Sequence, residues 1–213
     1  MNKGVFAQNF KYHYKRYLSI FFASLGFACL VGAITDYFVE NPNVNSMSLF
    51  ATVWNYVILL VSFCFILVGT IRRSGIVWSG ILIYIFYLLW DFASYTFIGA
   101  SRGIALLSDG QWLLGTLFIL YFLCAVGALV FGILLYVRIR QFLSRRYMSY
   151  VGLRTYALVF MIFVVVTYGI LQPTITLLNQ GNVSLLATLL EPLAVSFEAL
   201  ATFFVVIRLK SSY

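Results

Sequence analysis

The chain has 213 residues, of which 63% are hydrophobic and only 9% are charged, with a formal net charge of +8. Soluble domains carry about 25% charged residues, so this composition excludes an ordinary soluble fold. Because the apolar runs are long and continuous, they favour helices over a membrane barrel, and they predict an all-α, polytopic transmembrane helical bundle.

Six apolar runs reach the length of about 20 residues that a spanning helix needs. They cover residues 17–39, 49–71, 76–100, 112–137, 153–178 and 184–207. The connections between them, including 101–111 and 138–152, are short, so residues 1–213 are predicted to form a single membrane domain. No cleavage site follows the first run, which is therefore expected to remain as a membrane anchor.

The N-terminal segment 1–16 is basic and aromatic. Phe6, Phe10 and Tyr14 recur at helical spacing, and Lys11 and Lys15 lie on another face. This pattern predicts an interfacial helix lying flat on the membrane. An inward extension of the first spanning helix fits the same residues.

The basic residues predict the orientation of the chain. With six spans, thirteen of the fourteen basic residues fall on the side of the N-terminus, and only Arg102 falls on the other. By the positive-inside rule both termini are in the cytoplasm, and the short loops are typical of a prokaryotic inner (plasma) membrane. Arg102 is a candidate partner for an outer or intramembrane acid, namely Asp36, Glu40, Asp91 or Glu191.

Asp91 falls inside the third predicted span, where a charged residue costs about 2.5–3.5 kcal/mol. Tyr87 and Tyr95 lie four residues to either side of it and are predicted to share its face, with hydroxyls placed to donate to the carboxylate. Two interpretations remain open. Asp91 either binds a cation, a proton or a polar substrate, or it makes an interhelical hydrogen bond that fixes packing.

Glu191 and Glu198 lie seven residues apart in the sixth span, which places them on one face at two depths. Pro192 follows Glu191, and Pro173 follows Gln172, so helix breaks are predicted in the sixth and fifth spans. Broken helices offer free carbonyls to ions in transporters. Together these features predict a polar outer vestibule between the fifth and sixth helices, unless each proline merely lies near a helix end.

The basic inner face predicts contact with anionic inner-leaflet lipid or with an acidic cytosolic protein. The candidate docking residues are Lys11, Lys15, Arg138, Arg140, Arg145 and Arg146. No nucleic-acid binding is expected, because the membrane accounts for the mixture of basic and aromatic residues. Small residues at Ser24, Ala28 and Gly32 suit close helix packing, either within one subunit or in a homo-oligomer.

The sequence lacks the residues of most membrane enzymes. His13 is the only histidine and lies in the N-terminal segment, which leaves serine–histidine catalysis, haem ligation and histidine-based zinc sites without support. Cys29, Cys64 and Cys124 have no partner at ligand spacing. No catalytic residue, metal or cofactor is therefore predicted, and the chain is not expected to be an enzyme.

Two functions remain. The first is a small membrane transporter or channel subunit that moves a cation or a small polar solute. The second is a non-catalytic anchor or sensor subunit of a larger complex (a transporter accessory, signalling or antiviral defence complex) that docks a cytosolic partner on its basic face. In the first, the predicted route is lined by Asp91, Glu191, Glu198, Gln172, Tyr87 and Tyr95.

Overall fold

The computed structural model describes the backbone of residues 3–40, 46–144, 150–180 and 185–208, and the side chains of 13–37, 39, 53–94, 96–144, 152–179 and 189–208. The regular structure in these ranges is helical. The α-helices are α1 (Lys3–Glu40), α2 (Ser46–Arg72), α3 (Ile76–Asp91), α4 (Phe97–Ser108), α5 (Trp112–Leu143), α6 (Tyr150–Val164), α7 (Gln172–Gln180) and α8 (Leu185–Arg208). Two π-helical segments, Phe92–Thr96 and Val165–Leu171, interrupt α-helical geometry.

Six helical stretches within the described residues are long and apolar enough to cross a membrane. They are His13–Tyr37, Val53–Arg72, Ile76–Ser94, Trp112–Leu143, Gly152–Asn179 and Leu189–Arg208. Each overlaps one of the six predicted runs. The prediction of a helical chain with six helices that could cross a membrane is therefore confirmed for the described residues, whereas the topology and orientation in the membrane stay predictions.

The first and last helices pack against each other in antiparallel fashion. Toward the N-terminal part of α1, the Ser19 hydroxyl donates to the Ala201 carbonyl at 3.2 Å. Toward its other end, Gly32 leaves room for Leu190, since an added Cβ would lie 3.1 Å from Leu190 Cδ1. This pairing brings the two ends of the chain into one bundle.

The predicted small-residue face of α1 is divided between two environments. Gly32 packs against α8, but Ser24 and Ala28 are exposed. The close contact with α2 is made at Gly26, where a Cβ would lie 2.6 Å from the Phe63 ring. Within one chain only Gly32 makes the predicted close contact, and packing at Ser24 and Ala28 against a second subunit stays a prediction.

α2 and α3 form a tight hairpin. A Cβ at Gly69 would lie 2.4 Å from the amide nitrogen of Val77, so only glycine allows this approach. The Ser74 amide donates to the Gly69 carbonyl at 3.0 Å, a bond that commonly closes the C-terminus of a helix. Arg73 occupies the preceding position with a φ of 53°, in the left-handed region that favours glycine.

The third spanning helix does not end where the sequence predicted. α3, the first π-helical segment and α4 form one continuous helix from Ile76 to Ser108, so most of the connection predicted at 101–111 is helical. Gly103 and Gly115 make the extension stable because they let α4 and α5 touch: a Cβ at Gly103 would lie 3.2 Å from the Gly115 carbonyl oxygen. The chain then reverses at Gly110, whose φ is 78°.

The two prolines have different effects. Pro173 lies two residues after the second π-helical segment ends at Leu171. Proline lacks an amide donor and its ring crowds the carbonyl four residues earlier, and the wider π turns accommodate both defects. α8 continues as an α-helix through Pro192, so the break predicted in the sixth helix is wrong, whereas the fifth is irregular as predicted.

Basic side chains gather at one end of the bundle, which we call the basic end. Arg16 Nη2 donates to the Ile71 carbonyl at 2.7 Å, and Lys15 Nζ donates to the Ile207 carbonyl at 3.2 Å. Cations at helix C-termini are favourable because those carbonyls carry partial negative charge. These contacts fix the start of the first span against the ends of α2 and α8.

Two predicted boundaries change at the basic end. α1 runs without interruption from Lys3 to Glu40, which agrees with segment 1–16 as an extension of the first helix rather than a separate interfacial helix. α5 continues to Leu143. Arg138 and Arg140 therefore lie on a helix and not in the predicted connection.

Candidate functional site

Asp91 lies at the end of α3, where the first π-helical segment begins. Its side chain is 8% exposed, and Oδ2 accepts a hydrogen bond from Tyr168 Oη at 2.8 Å. Tyr168 lies in the second π-helical segment, so one hydrogen bond joins the two irregular segments. π turns within α-helices are rare and occur frequently at functional sites.

Glu191, on α8, faces two tyrosine hydroxyls. Tyr56 Oη lies 3.4 Å from Oε2, and Tyr87 Oη lies 3.5 Å from Oε1. Both distances exceed the usual range of about 2.5–3.0 Å for a hydroxyl donor. The carboxylate is therefore held loosely, by donors from α2 and α3, in a position where a small shift would change its partners.

The prediction that Tyr87 donates to Asp91 is wrong, because its hydroxyl donates to Glu191 instead. Side chains on a helix tilt toward the N-terminus of that helix. A tyrosine one turn before Asp91 consequently directs its ring away from the carboxylate and reaches a neighbouring helix. The side chain of Tyr95 lies outside the described residues, so its predicted contact with Asp91 stays a prediction.

Asp91 and Glu191 are close enough to interact electrostatically, and Tyr87 interacts with both. Tyr121 adjoins the same group, since its ring packs edge-on against that of Tyr168 with centroids 6.3 Å apart. We call this group the acidic–tyrosine cluster. Its members are Asp91, Glu191, Tyr56, Tyr87, Tyr121 and Tyr168.

Glu198 lies deeper along α8 and is fully buried. Its Oε1 and the Gly80 carbonyl oxygen both contact the Ser62 hydroxyl oxygen. A hydroxyl carries one proton and can donate to only one of these acceptors. Both contacts form hydrogen bonds only when Glu198 is protonated and donates to Ser62 while Ser62 donates to Gly80.

The polar partners of these three acids in the described part of the chain are hydroxyls, and none is a basic side chain. An ionised carboxylate without a countercharge is costly in an apolar interior. Each acid therefore needs either a proton or a cation to offset its charge, unless it serves only as an interhelical hydrogen-bond acceptor.

Arg102 does not pair with any acid whose side chain is described. Its Nη2 donates to Asn179 Oδ1 at 3.2 Å, and its guanidinium lies over the Phe118 ring, 5.8 Å from the centroid. The predicted pairing with Asp36, Asp91 or Glu191 is therefore wrong, and the side chain of Glu40 lies outside the described residues. Arg102 joins α4 to α7 instead.

Most of the buried polar atoms without a partner in the described residues belong to α2, the turn after it, and α8. There are nine such atoms among the described side chains, and these elements hold six of them. They are Asn55 Oδ1, Thr70 Oγ1, Ser74 Oγ, Ser196 Oγ, Glu198 Oε2 and Thr202 Oγ1. Buried polar atoms without protein partners are positions where ordered water binds.

Gln172 lies beside a cavity of about 200 Å³ that is bordered by α4, α5 and α7. Its Oε1 is buried and has no partner among the described groups. Tyr121 lines the same cavity, which connects it with the acidic–tyrosine cluster. The vestibule predicted between the fifth and sixth helices stays a prediction, because the side chains of 180–188 lie outside the described residues.

The predicted docking residues are partly described. Lys15 is bound to the end of α8 through the Ile207 carbonyl. Arg138 Nη1 donates to Gln141 Oε1 at 3.1 Å, and Arg140 is exposed. The side chains of the other three predicted residues, Lys11, Arg145 and Arg146, lie outside the described part.

Sequence reasoning missed three hydroxyl partners of the acids, namely Tyr56, Ser62 and Tyr168, and it also missed Tyr121, which packs against Tyr168. One signal was available: Asn55 and Ser62 are seven residues apart on α2, which matches the spacing of Glu191 and Glu198 on α8. Two helices that run in the same direction, as α2 and α8 do, can place polar residues of equal spacing at matching depths. No comparable signal marks Tyr121 or Tyr168 among the fifteen tyrosines.

No group of three or more histidine, cysteine, aspartate or glutamate residues is arranged to hold a metal ion in the portion of the chain that was searched. Comparisons with protein-family models, with curated proteins and with solved structures find no match.

Proposed function

We propose that this chain is a small multi-pass membrane transporter or channel subunit, and that the acidic–tyrosine cluster binds the transported or coupling cation. The observation that most supports this is the arrangement of Asp91 and Glu191. Two carboxylates within electrostatic reach of each other are approached by phenolic hydroxyls and by no described basic group. Such a pair is neutralised by taking up a proton or a cation.

A proton fits the arrangement better than a metal ion. Hydroxyls and water transmit protons by donating and accepting in turn, and most of the unpartnered polar atoms lie on α2, the turn after it, and α8. The proposed route starts at the cavity beside Gln172, passes Tyr121 and the cluster, and continues to Glu198.

The proposed orientation places the basic end in the cytoplasm of a prokaryotic inner membrane, by the positive-inside rule. The cavity beside Gln172 then opens toward the outside. Accessibility labelling of a cysteine placed at exposed Gln111 tests this assignment in intact cells. If an impermeant thiol reagent did not label that cysteine, the orientation would be the reverse of the one proposed.

Flux through the purified protein tests the proposal. In liposomes that enclose a pH-sensitive dye, an imposed gradient should drive proton movement through the wild-type chain. Asp91→Asn and Glu191→Gln should each reduce it at least tenfold, because each removes a group that changes charge. Asp109→Asn is the matched control, since Asp109 is exposed on the turn between α4 and α5. Full flux in the Asp91, Glu191 and Glu198 variants alike would refute the proposal.

A second candidate function is a membrane subunit that docks an acidic cytosolic protein. The exposed arginines at the basic end, including Arg72, Arg73 and Arg140, support it. Purification from native membranes should then yield a partner in fixed proportion, and Arg140→Gln should weaken its retention. Flux by the purified chain alone, with no partner retained, would favour the transporter.

A further inference from the structure

A cleft of about 330 Å³ opens at the basic end, between the α2–α3 turn and the C-terminal ends of α5 and α8. Its lining is partly polar and includes Arg73, Arg208 and two hydroxyls. The lining also includes apolar side chains, among them Leu143 and Val205. The cleft is separate from the acidic–tyrosine cluster and has no role in the proposed proton route.

Two arginines, Arg73 and Arg208, line this cleft, and Arg16 lies near Arg208. Arg16 and Arg73 both lie close enough to Arg208 to interact with it electrostatically. Arg16 is held in place by bonds to the carbonyls of Thr70 and Ile71. Like charges gathered in this way favour a bound anion.

Two hydroxyls in the cleft are available to the same anion. Thr70 is 2% exposed, and its Oγ1 has no hydrogen-bond partner within the described residues. Ser74 Oγ is likewise buried without a partner in that part of the chain. A buried hydroxyl without a partner destabilises a protein unless a ligand or water accepts its proton. Both residues line the cleft.

The N-terminus of α3 also borders the cleft, through Gly75 and Val77. The free amides at the start of a helix attract anions, phosphate above all. Trp78 in the same turn lines the cleft as well, and tryptophan is enriched at the depth of lipid headgroups. The chemistry of the cleft is thus that of a phosphate site with apolar lining residues.

We propose that this cleft binds a phosphate group, with Arg73 and Arg208 pairing its charge and the Thr70 and Ser74 hydroxyls donating to its oxygens. Guanidinium forks match phosphate geometry. The phosphate belongs either to an anionic lipid headgroup, whose acyl chains would follow the apolar lining at Leu143 and Val205, or to a soluble phosphate ion. The proposal does not depend on whether the chain transports.

The test measures ligand-dependent thermal stabilisation of the full chain purified in detergent. In one arm the ligand is phosphatidylglycerol in mixed micelles, and phosphatidylcholine is its control. In the second arm the ligand is inorganic phosphate, and sodium chloride at equal ionic strength is its control. The variants are Arg73→Gln, Arg208→Gln and Thr70→Val. Arg140→Gln, an exposed arginine outside the cleft, is the matched control for the loss of one positive charge.

The affinity for phosphate or for phosphatidylglycerol should fall about tenfold in each cleft variant, because each loses a charge-assisted hydrogen bond, and should stay unchanged in Arg140→Gln. Stabilisation by phosphatidylglycerol alone identifies the lipid as the source, and stabilisation by phosphate identifies the soluble ion. Thr70→Val keeps the test valid if an arginine variant fails to fold, since it removes a hydroxyl that bonds no described group. Equal binding by wild type and Thr70→Val, or equal loss in Arg140→Gln, would overturn the proposal.

Discussion

The Tyr168 hydroxyl donates a 2.8 Å hydrogen bond to Asp91 Oδ2 and so connects two π-helical segments that are 77 residues apart in sequence. Each π segment changes the direction in which the side chains of the following helix point. The following helix is α4 in one case and α7 in the other. A change in the charge of Asp91 would therefore act on both helices at once. Under the proposed function, this relationship would couple ion binding at the acidic–tyrosine cluster to helix movement.

Tyr168→Phe removes the donor and leaves Asp91 without it in a buried setting. We expect the unfolding free energy to fall by about 1–3 kcal/mol, since a buried acceptor loses its partner. The measurement is thermal denaturation in detergent, followed by circular dichroism. Tyr136→Phe, which removes a half-buried hydroxyl that makes no bond to a described residue, serves as the control. Equal stability of the two variants would show that the Asp91 bond contributes little.

Glu198 is expected to be protonated at neutral pH, because only the protonated form allows both contacts of the Ser62 hydroxyl to be hydrogen bonds. Infrared difference spectra between wild type and Glu198→Gln should then show the carbonyl band of a carboxylic acid. Asp109→Asn, at an exposed position, is the matched control for the loss of one carboxyl group. If the Glu198→Gln spectrum instead lost carboxylate bands, Glu198 would be ionised, which would contradict the expected protonation.

The contact between α4 and α5 depends on Gly115. A Cβ there would lie 2.8 Å from the Gly103 carbonyl oxygen, and backbone cannot move aside cheaply. Gly115→Ala should lower stability by about 1–3 kcal/mol, as overpacking does. Gly99→Ala is the matched control, since the nearest atom, on the Phe118 ring, would be 3.5 Å away. Similar melting temperatures for both variants would indicate that the helices separate easily.

Arg73 holds a left-handed backbone conformation that costs a side-chain-bearing residue energy. Arg73→Gly should raise the unfolding free energy by about 0.5–1 kcal/mol, after allowance for the greater freedom of glycine when unfolded. Arg72→Gly, at the last residue of α2, should instead lower it. If Arg73→Gly is more stable than the wild type but binds phosphate less tightly, then Arg73 contributes to ligand binding and lowers the stability of the fold.

The long apolar runs predicted the six helices because lipid imposes length and composition on every spanning segment. The same physics identified Asp91, Glu191 and Glu198 as residues that need a polar partner, since a charge inside a spanning helix is costly without one. The partners themselves could not be predicted. A tyrosine is common in membrane helices, and which of fifteen reaches an acid depends on the rotation and depth of two helices that are distant in sequence.

The two π-helical segments also escaped prediction. Pro173 gave a local reason for irregularity in the fifth span, but Phe92–Thr96 contains no proline or glycine. The extra residue there is accommodated through contacts with other helices, such as the Tyr168 bond to Asp91. Irregularity of this kind arises from tertiary packing, and a single sequence carries no periodic signal for it.

The continuous helix that ends at Ser108 has a practical use. The hairpin of α4 and α5 continues six residues past Arg102, or about 9 Å beyond the contact with Asn179, and its close helix contact at Gly103 makes it stiff. Its exposed turn at Gly110 is a position where inserted sequence is tolerated. A small rigid protein fused at that turn would move with the bundle and would provide the alignment mark that imaging a 24.2 kDa membrane protein requires.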